Sequence, residues 1–164
     1  MLDLIIKNGK CYIDGNLEEK DIAIKDGKIL KIGKISEECK DTYDAKDQTV
    51  LPGCIDTQTH FREPGSTDTE DLHSGSRAAI VGGITAVFEM PNTNPPTATK
   101  KEFQRKLDLA KNRMYCNYAF YFGATADNAN ELAELKNLEG CCGIKLFAGS
   151  STGNLLVAEE KDID

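Results

Sequence analysis

Four strand-like runs alternate with three helix-like runs from about residue 50, and this alternation limits the possible folds more than any other feature of the chain. The strand-like runs are short and mostly apolar, and they cover 50–56, 85–90, 116–122 and 142–147. The helix-like runs between them cover about 69–81, 100–112 and 129–138. Strands that alternate with helices predict right-handed β-α-β units and therefore a parallel sheet.

Four such units cannot close a parallel β/α barrel, because the closed form has eight strands. Parallel strands are normally covered on both faces, and an open edge leaves apolar side chains and backbone groups exposed. We therefore predict an α/β fold with a partial barrel, about half of the closed form, over 50–164. The exposed edge also predicts that the chain forms homo-oligomers or associates with a complementary chain.

The first 49 residues have a different pattern, in which short strand-like runs are separated by turn residues. The pairs Asn8-Gly9 and Asp26-Gly27 are typical of turns, and the second lies between two runs in which isoleucine alternates with charged or small residues. Such alternation produces one apolar face that a second layer must cover. We predict a small antiparallel, sandwich-like β region over 1–49, with the polar run 36–47 as a loop.

Charge and composition exclude several kinds of partner. The chain has 164 residues and a formal net charge of −7 at pH 7, which argues against nucleic acid and anionic membranes. It contains no run of eighteen apolar residues, and its first residues lack the basic head and the small-residue cleavage site of a signal peptide. We therefore expect a cytoplasmic protein whose partner is a small molecule.

Polar side chains alternate where the first strand-like run ends. Asp56, Gln58 and His60 fall on one face of a strand, because successive side chains point to opposite faces. The sequence F-R-E-P-G follows directly at 61–65 and contains a turn. In parallel α/β barrels the chemistry lies at the C-terminal ends of the strands. This stretch is therefore the first candidate for a functional site.

The run D-T-Q-T-H-F-R-E-P-G at 56–65 resembles the D-x-H-x-H-[FL]-R-E-P-G signature of dihydroorotases, the cyclic amidohydrolases of pyrimidine synthesis. Two further segments are similar to that family and occur in the same order: M-P-N-T at 90–93 and G-S-S-T-G at 149–153. The resemblance covers nearly the whole chain and corresponds to roughly the first third of a dihydroorotase. Allantoinases and hydantoinases share the architecture and remain alternative relatives.

The resemblance implies a zinc site in which a carboxylated lysine bridges two ions. His60 matches the second histidine of the signature, and Lys145 matches the bridging lysine. Gln58 stands where the family has a metal-binding histidine, and an amide oxygen is a poorer zinc ligand than an imidazole nitrogen. The only other histidine of the chain, His73, falls within a predicted helix. A site of this type uses four histidines, so this chain alone cannot assemble it.

Arg62 and Asn92 match the two positions that bind the carboxylate of dihydroorotate in this family. The guanidinium of an arginine suits a bidentate contact with a carboxylate. Judged without the resemblance, Arg62 is equally typical of a surface ion pair, and Asn92 is equally typical of a turn beside prolines. The resemblance places the catalytic carboxylate after the eighth strand, so it assigns no catalytic residue to this chain.

Two functional hypotheses follow. The first is a dihydroorotase-like cyclic amidohydrolase, which interconverts dihydroorotate and N-carbamoyl-aspartate. The second is a degenerate, non-catalytic homologue or a scaffold subunit, as some dihydroorotase-like chains are for aspartate carbamoyltransferase. Gln58 and the small number of β-α units both lead us to expect little or no turnover by this chain alone.

Overall fold

The first part of the chain is a β-sheet built around one long strand. A computed structural model describes residues 1–149 and 155–163 and separates two units, Met1–Pro52 and Gly53–Asp164. The strands of the first unit are β1 (Leu2–Ile13), β2 (Asn16–Lys25), β3 (Lys28–Gly33), β4 (Cys39–Asp44) and β5 (Thr49–Val50). They pair in the order β3-β2-β1-β4, and β5 also pairs with β1.

The predicted antiparallel hairpins are present in this sheet. β1 pairs antiparallel with β2, and β2 pairs antiparallel with β3. The turn at Asp26-Gly27 is confirmed, with φ values of 51° and 71°, because a two-residue type I′ turn needs positive φ at both positions. Asp3 supports this turn, since its carboxylate accepts the backbone N–H of Asp26 at 2.7 Å.

The turn predicted at Asn8-Gly9 is wrong. β1 continues through both residues, and its register with β2 shifts between Ile6 and Gly9, as at a β-bulge. Asn8 has a φ of 60°, a conformation that asparagine tolerates better than most residues. The chain reverses instead at Asp14-Gly15, with φ values of 46° and 86°.

The polar run 36–47 is not a loop, because it contains β4. This strand pairs with β1 in parallel, with Leu4 opposite Asp41 and Ile6 opposite Tyr43. Five of its six residues are exposed, so neither face needs apolar side chains. Backbone hydrogen bonds to β1 therefore specify β4, and a pattern of apolar residues does not reveal such bonds.

The second unit contains the predicted parallel sheet. Its strands are β6 (Cys54–Thr59), β7 (Ile84–Glu89), β8 (Asn117–Gly123) and β9 (Cys141–Lys145), in the order β6-β7-β8-β9. All neighbouring pairs are parallel, which confirms the half-barrel. The predicted first strand begins later than expected, because the segment Pro52-Gly53 interrupts it: Val50 ends β5, and β6 starts at Cys54.

Helices connect these strands. The connections contain α1 (Leu72–Val81), α2 (Lys100–Ala110) and a 3₁₀ helix (Ala129–Asn137), and α3 (Glu160–Ile163) follows β9. A capping box formed by Asp71 and Ser74 begins α1, and the Thr99 side chain accepts the Glu102 N–H to begin α2. Within the described ranges, every helix is too short or too polar to span a bilayer.

The core of the second unit lies between the sheet and the helices. Its buried residues are mainly aromatic or aliphatic: Phe61, Leu72, Val87, Phe103, Ala110, Cys116, Phe120, Phe122 and Leu135. Phe103 of α2 packs edge-on against Phe120 of β8, with ring centroids 6.4 Å apart. This packing fixes α2, which follows the loop after β7, on the sheet.

Candidate functional site

Three strands of the second unit end beside sequence-predicted residues. His60 directly follows β6, the segment containing Asn92 follows β7, and Lys145 is the last residue of β9. Parallel strands have their C-terminal ends at the same edge of a sheet, so these residues share one edge. We call His60, Arg62, Asn92 and Lys145 the strand-end site.

A hydrogen bond joins two of these residues. His60 Nδ1 lies 2.9 Å from Asn92 Oδ1, and Asn92 is buried. Because the amide oxygen can only accept, Nδ1 carries the ring proton and Nε2 keeps a lone pair. Such a nitrogen can bind a metal ion or accept a proton.

The imidazole of His60 is neutral near pH 7. Burial lowers its pKa below the usual value of 6.5, and the hydrogen bond with Asn92 opposes this effect. The positive charges of Arg62, Lys106 and Lys145 lower the pKa of His60 further. Lys106 is paired with Glu89, so the charges of Arg62 and Lys145 are the ones that favour an anionic ligand beside this neutral ring.

Lys145 is half-buried at the end of β9. Its Nζ lies 5.1 Å from the centroid of the Phe147 ring, a geometry typical of a cation–π contact. Lys145 pairs in register with Gly123 of β8, and its carbonyl accepts the Ala124 N–H at 2.9 Å. The backbone of the strand end is therefore fixed while the amine contacts an aromatic ring.

Arg62 begins the loop that follows His60. Its φ is 61°, a left-handed conformation that few non-glycine residues adopt and that occurs often at functional sites. Burial raises the pKa of the Glu89 carboxyl, and the charge of Arg62 is among the effects that oppose this rise. Arg62 is therefore within electrostatic range of both His60 and Glu89.

Glu63 holds this loop, and the sequence analysis did not identify it. Its two carboxylate oxygens accept hydrogen bonds from Arg113, at 2.8 and 3.1 Å. One of them also accepts the Leu72 N–H at the start of α1, at 2.9 Å. Hydrogen bonding to Glu63 raises the pKa of Arg113. The sequence feature that could have indicated this role is the position of Glu63 between Arg62 and a proline.

A buried ion pair lies under the same loops and was also missed. Glu89, the last residue of β7, contacts Lys106 of α2, and both side chains are almost completely buried. Burial raises the pKa of Glu89 to about 7 against the attraction of Lys106. Burial likewise lowers the pKa of Lys106. The sequence feature that could have indicated this pair is the position of Lys106 on the apolar face of α2, between Phe103 and Ala110.

Comparison with known proteins identifies the family. The amidohydrolase family model matches residues 49–151, more than half of the chain. The chain belongs to the amidohydrolase family.

Its relatives include several cyclic amidohydrolases. The chain is 40% identical over 162 residues to a dihydroorotase from Methanosarcina mazei, covering 98% of this chain and 35% of that protein. It is 40% identical over 149 residues to an allantoinase from Escherichia coli O1:K1 / APEC, covering 90% of this chain and 33% of that protein. The chain spans about a third of the length of these curated relatives.

A solved structure supports the same fold. The L-hydantoinase (dihydropyrimidinase) from Arthrobacter aurescens superposes with a TM-score of 0.90 at 30% identity. The match covers 99% of this chain and 37% of that chain. The half-barrel and the N-terminal sheet of this amidohydrolase therefore both occur in a known hydrolase structure.

The described residues of this amidohydrolase do not complete a metal site. No group of three or more His, Cys, Asp or Glu side chains among residues 1–149 and 155–163 could hold an ion. Gln58 is exposed, and its backbone N–H donates to Asp56 Oδ1 at 2.9 Å. His73 lies in α1, as predicted, with its ring centroid 5.1 Å from that of Tyr115. Except for Gly149, the G-S-S-T-G segment lies outside the described residues.

Proposed function

We propose that this chain carries the N-terminal part of the active site of a dihydroorotase-like cyclic amidohydrolase. Its substrates would be dihydroorotate and N-carbamoyl-aspartate. The single observation that carries the proposal is the strand-end site, where the cations Arg62 and Lys145 act on a neutral His60 at one edge of a parallel sheet. Both proposed substrates are carboxylates, which this electrostatic environment favours.

Arg62 and Asn92 are the proposed carboxylate-binding residues. A guanidinium can bind a carboxylate through two parallel hydrogen bonds, which fixes the orientation of the ligand as well as its position. Asn92 is bonded to His60, so a ligand that contacts Asn92 also lies beside the imidazole. Supporting observations are the left-handed backbone at Arg62 and the burial of Asn92.

His60 and Lys145 are the proposed metal-binding positions. A bound zinc ion would polarise the amide carbonyl of the ring and supply hydroxide. The Nε2 lone pair of His60 suits zinc, whereas Lys145 would need carboxylation to become an anionic ligand. The remaining ligands of a two-zinc site would have to come from residues outside this chain. We therefore propose that the 164-residue chain has little or no turnover by itself.

A non-catalytic homologue is the second candidate, and Gln58 favours it. An allantoinase- or hydantoinase-type substrate is the third, because the allantoinase is as similar in sequence to this chain as the dihydroorotase is and the hydantoinase shares its fold. Hydantoin and allantoin lack the ring carboxylate that Arg62 and Asn92 are proposed to bind. Substrate charge therefore separates the candidates.

The first experiment measures binding by calorimetry with dihydroorotate and with its neutral carboxamide. We expect dihydroorotate to bind more tightly, and we expect Arg62→Lys to reduce that preference by roughly tenfold, because lysine keeps the charge but loses the bidentate contact. Equal binding of the acid and the amide, or tighter binding of allantoin, would contradict the substrate proposal.

The second experiment measures zinc content and dihydroorotate hydrolysis in the unmodified chain and in Gln58→His. We expect more zinc in Gln58→His, because imidazole is the better ligand. Stoichiometric zinc together with hydrolysis in the unmodified chain would contradict the proposed inactivity. Absence of zinc from both proteins would contradict the metal-binding role of His60 and Lys145.

We also propose that the chain self-associates. β6 and β9 are the outer strands of the described parallel sheet, and Ile55 and Ile144 on them are exposed. Open strand edges with apolar side chains favour association. Light scattering should detect species larger than a monomer, and a monodisperse monomer with a cooperative melt would contradict this proposal.

A further inference from the structure

We propose that Glu89 and Lys106 are positioning residues, which hold His60 and Asn92 in their relative places through the backbone of the two loops that carry them. The proposal rests on the proposed function for its biological meaning. Its geometry, however, involves neither substrate nor metal, so it can be tested separately.

The first contact holds the loop after β6. Glu89 Oε1 accepts the backbone N–H of Phe61 at 3.3 Å. Phe61 directly follows His60, so this hydrogen bond fixes the peptide that leaves the imidazole-bearing residue. The Phe61 side chain is itself buried in the core, which limits the movement of this peptide from the other side.

The second contact holds the loop after β7. Lys106 Nζ donates to the carbonyl oxygen of Met90 at 2.9 Å. Met90 lies two residues before Asn92, and its own N–H donates to Thr59 O at 2.9 Å. The Met90 backbone is therefore tied both to the residue before His60 and to the buried ion pair.

The two contacts meet because Glu89 and Lys106 bind each other. α2 carries Lys106, and its position is fixed by the packing of Phe103 on the sheet. Lys106 Nζ also lies 5.2 Å from the centroid of the Phe120 ring. One ion pair thus connects a helix, two strand ends and the two residues of the His60–Asn92 hydrogen bond.

Stability alone does not explain a buried pair of this kind. Removing two charges from water is costly, and apolar residues of similar volume are often equally stabilising or more so. A pair of leucine and methionine could fill the same space, but it could not bind the Phe61 N–H or the Met90 carbonyl. The polar contacts to the two loops are what the ion pair adds.

The experiment compares the unmodified chain with the double variant Glu89→Leu, Lys106→Met, which replaces the pair by apolar residues of similar size. Two quantities are measured by NMR on ¹⁵N-labelled protein: hydrogen exchange at the Phe61 amide and the tautomer of His60. His73→Gln identifies the signals of His60, since the chain has two histidines. Neither measurement needs zinc or a substrate.

In the unmodified chain we expect the His60 proton on Nδ1 and a protected Phe61 amide. In the folded double variant we expect roughly tenfold faster exchange at Phe61, because a hydrogen bond to a charged group is lost. We also expect both tautomers of His60 to be populated, since Asn92 is no longer held against the ring. Both changes at a nearly unchanged melting temperature would support the positioning role.

Phe103→Leu is the matched control, because it reduces packing of the same helix without touching the ion pair. It should lower the melting temperature and leave the His60 tautomer unchanged. If the double variant does not fold, Glu89→Gln replaces it: the amide oxygen still accepts the Phe61 N–H but without the negative charge, so we expect a smaller increase in Phe61 exchange. A Phe61 exchange rate and a His60 tautomer that match the unmodified chain in the folded variant would overturn the proposal. So would rapid exchange of Phe61 in the unmodified chain.

Loss of dihydroorotate binding can be distinguished from failure of this proposal. If the unmodified chain shows the Nδ1 tautomer and a protected Phe61 amide but binds no carboxylate, the proposed function is wrong and the positioning role stands. If it binds dihydroorotate while the double variant retains the tautomer and the protection, the positioning role is wrong and the function stands.

Discussion

The two units of this amidohydrolase differ in what they bury. The apolar cluster of the first unit contains three buried residues, Leu2, Ile5 and Ala23, whereas that of the second unit contains nine among the residues that the structure describes. All buried polar and charged side chains of the described chain lie in the second unit. The ion pairs of residues 1–52, such as Lys31–Glu37, are exposed instead.

This difference shows two ways of specifying a sheet. In the first unit, backbone pairing and turns fix the strands, and apolar side chains such as Ile29 and Leu30 of β3 remain more than 60% exposed. In the second unit, packing fixes the helices, and buried charges then tie particular backbone groups to one another. Placement of a reactive side chain requires the second arrangement, because loops alone are mobile.

The largest contrast is expected when a buried cation and an exposed one are replaced in the same way. Lys106→Met leaves the Glu89 carboxylate buried without its partner and should lower the free energy of unfolding by about 3–5 kcal/mol. Lys40→Met removes an exposed pair with Asp3 in the first unit and should cost less than about 1 kcal/mol. Urea denaturation measures both, and equal losses would contradict the contrast.

The effect of Lys106→Met should also depend on pH. The pKa of Glu89 is raised from 4.5 to about 7, so between these values the folded chain keeps a proton that the unfolded chain has lost. The contribution of Glu89 to stability therefore falls as the pH rises from about 4.5 to about 7. Lys106→Met removes the attraction that lowers this pKa, so its destabilisation should be larger at pH 8 than at pH 5.

A smaller contrast is expected for apolar side chains. Leu72→Ala removes a completely buried side chain at the start of α1 and should lower the free energy of unfolding by about 2–5 kcal/mol through the cavity it leaves. Leu30→Ala in β3 removes a side chain that is 63% exposed and should change it by less than about 0.5 kcal/mol. A large loss for Leu30→Ala would show that β3 is covered in solution.

Neutralising a carboxylate should also destabilise the second unit more than the first. Glu63→Gln weakens two hydrogen bonds from Arg113 and one from the Leu72 N–H, which should cost about 1–3 kcal/mol. Glu37→Gln weakens an exposed pair with Lys31 and an exposed hydrogen bond from the Ser36 N–H, and it should cost less than about 1 kcal/mol. Thermal denaturation of the two variants tests this, and similar melting temperatures would contradict the role of Glu63.

The smallest expected effect concerns backbone conformation, and here the variant in the first unit should lose more stability than the variant in the second. Gly27→Ala places a side chain at a φ of 71° in the first unit and should cost about 1 kcal/mol. Gly82 in the second unit has a φ of −81°, which alanine also adopts. Gly82→Ala should therefore change the free energy of unfolding by less than about 0.5 kcal/mol. Equal effects in urea denaturation would show that the Asp26-Gly27 turn does not specify the first sheet.

The sequence predicted those elements that depend on apolar periodicity. The strands and helices of the second unit follow from alternating apolar runs, and the Asp26-Gly27 hairpin follows from turn chemistry. β4 and the bulge at Asn8 were mispredicted because both depend on which strand lies alongside. Pairing partners that are distant in the chain leave no local pattern.

The strand-end site was predicted in part for the same reason. His60, Arg62, Asn92 and Lys145 were selected through motifs and their functional roles stay predictions, but the structure places each of them within three residues of the end of a strand of the parallel sheet. Glu63, Glu89 and Lys106 were missed because charged residues are mostly exposed, and a sequence alone does not show which ones are buried. Their roles depend on contacts between residues 9 to 50 positions apart.

Gln58 occupies an exposed position at the end of β6, so the fold places little demand on its side chain. The codons of glutamine and histidine differ only in their third base. A single nucleotide change could therefore exchange the two residues in either direction with little effect on folding. Selection at this position would then act on chemistry rather than on structure, and a lineage could lose or regain an imidazole there in one mutational step.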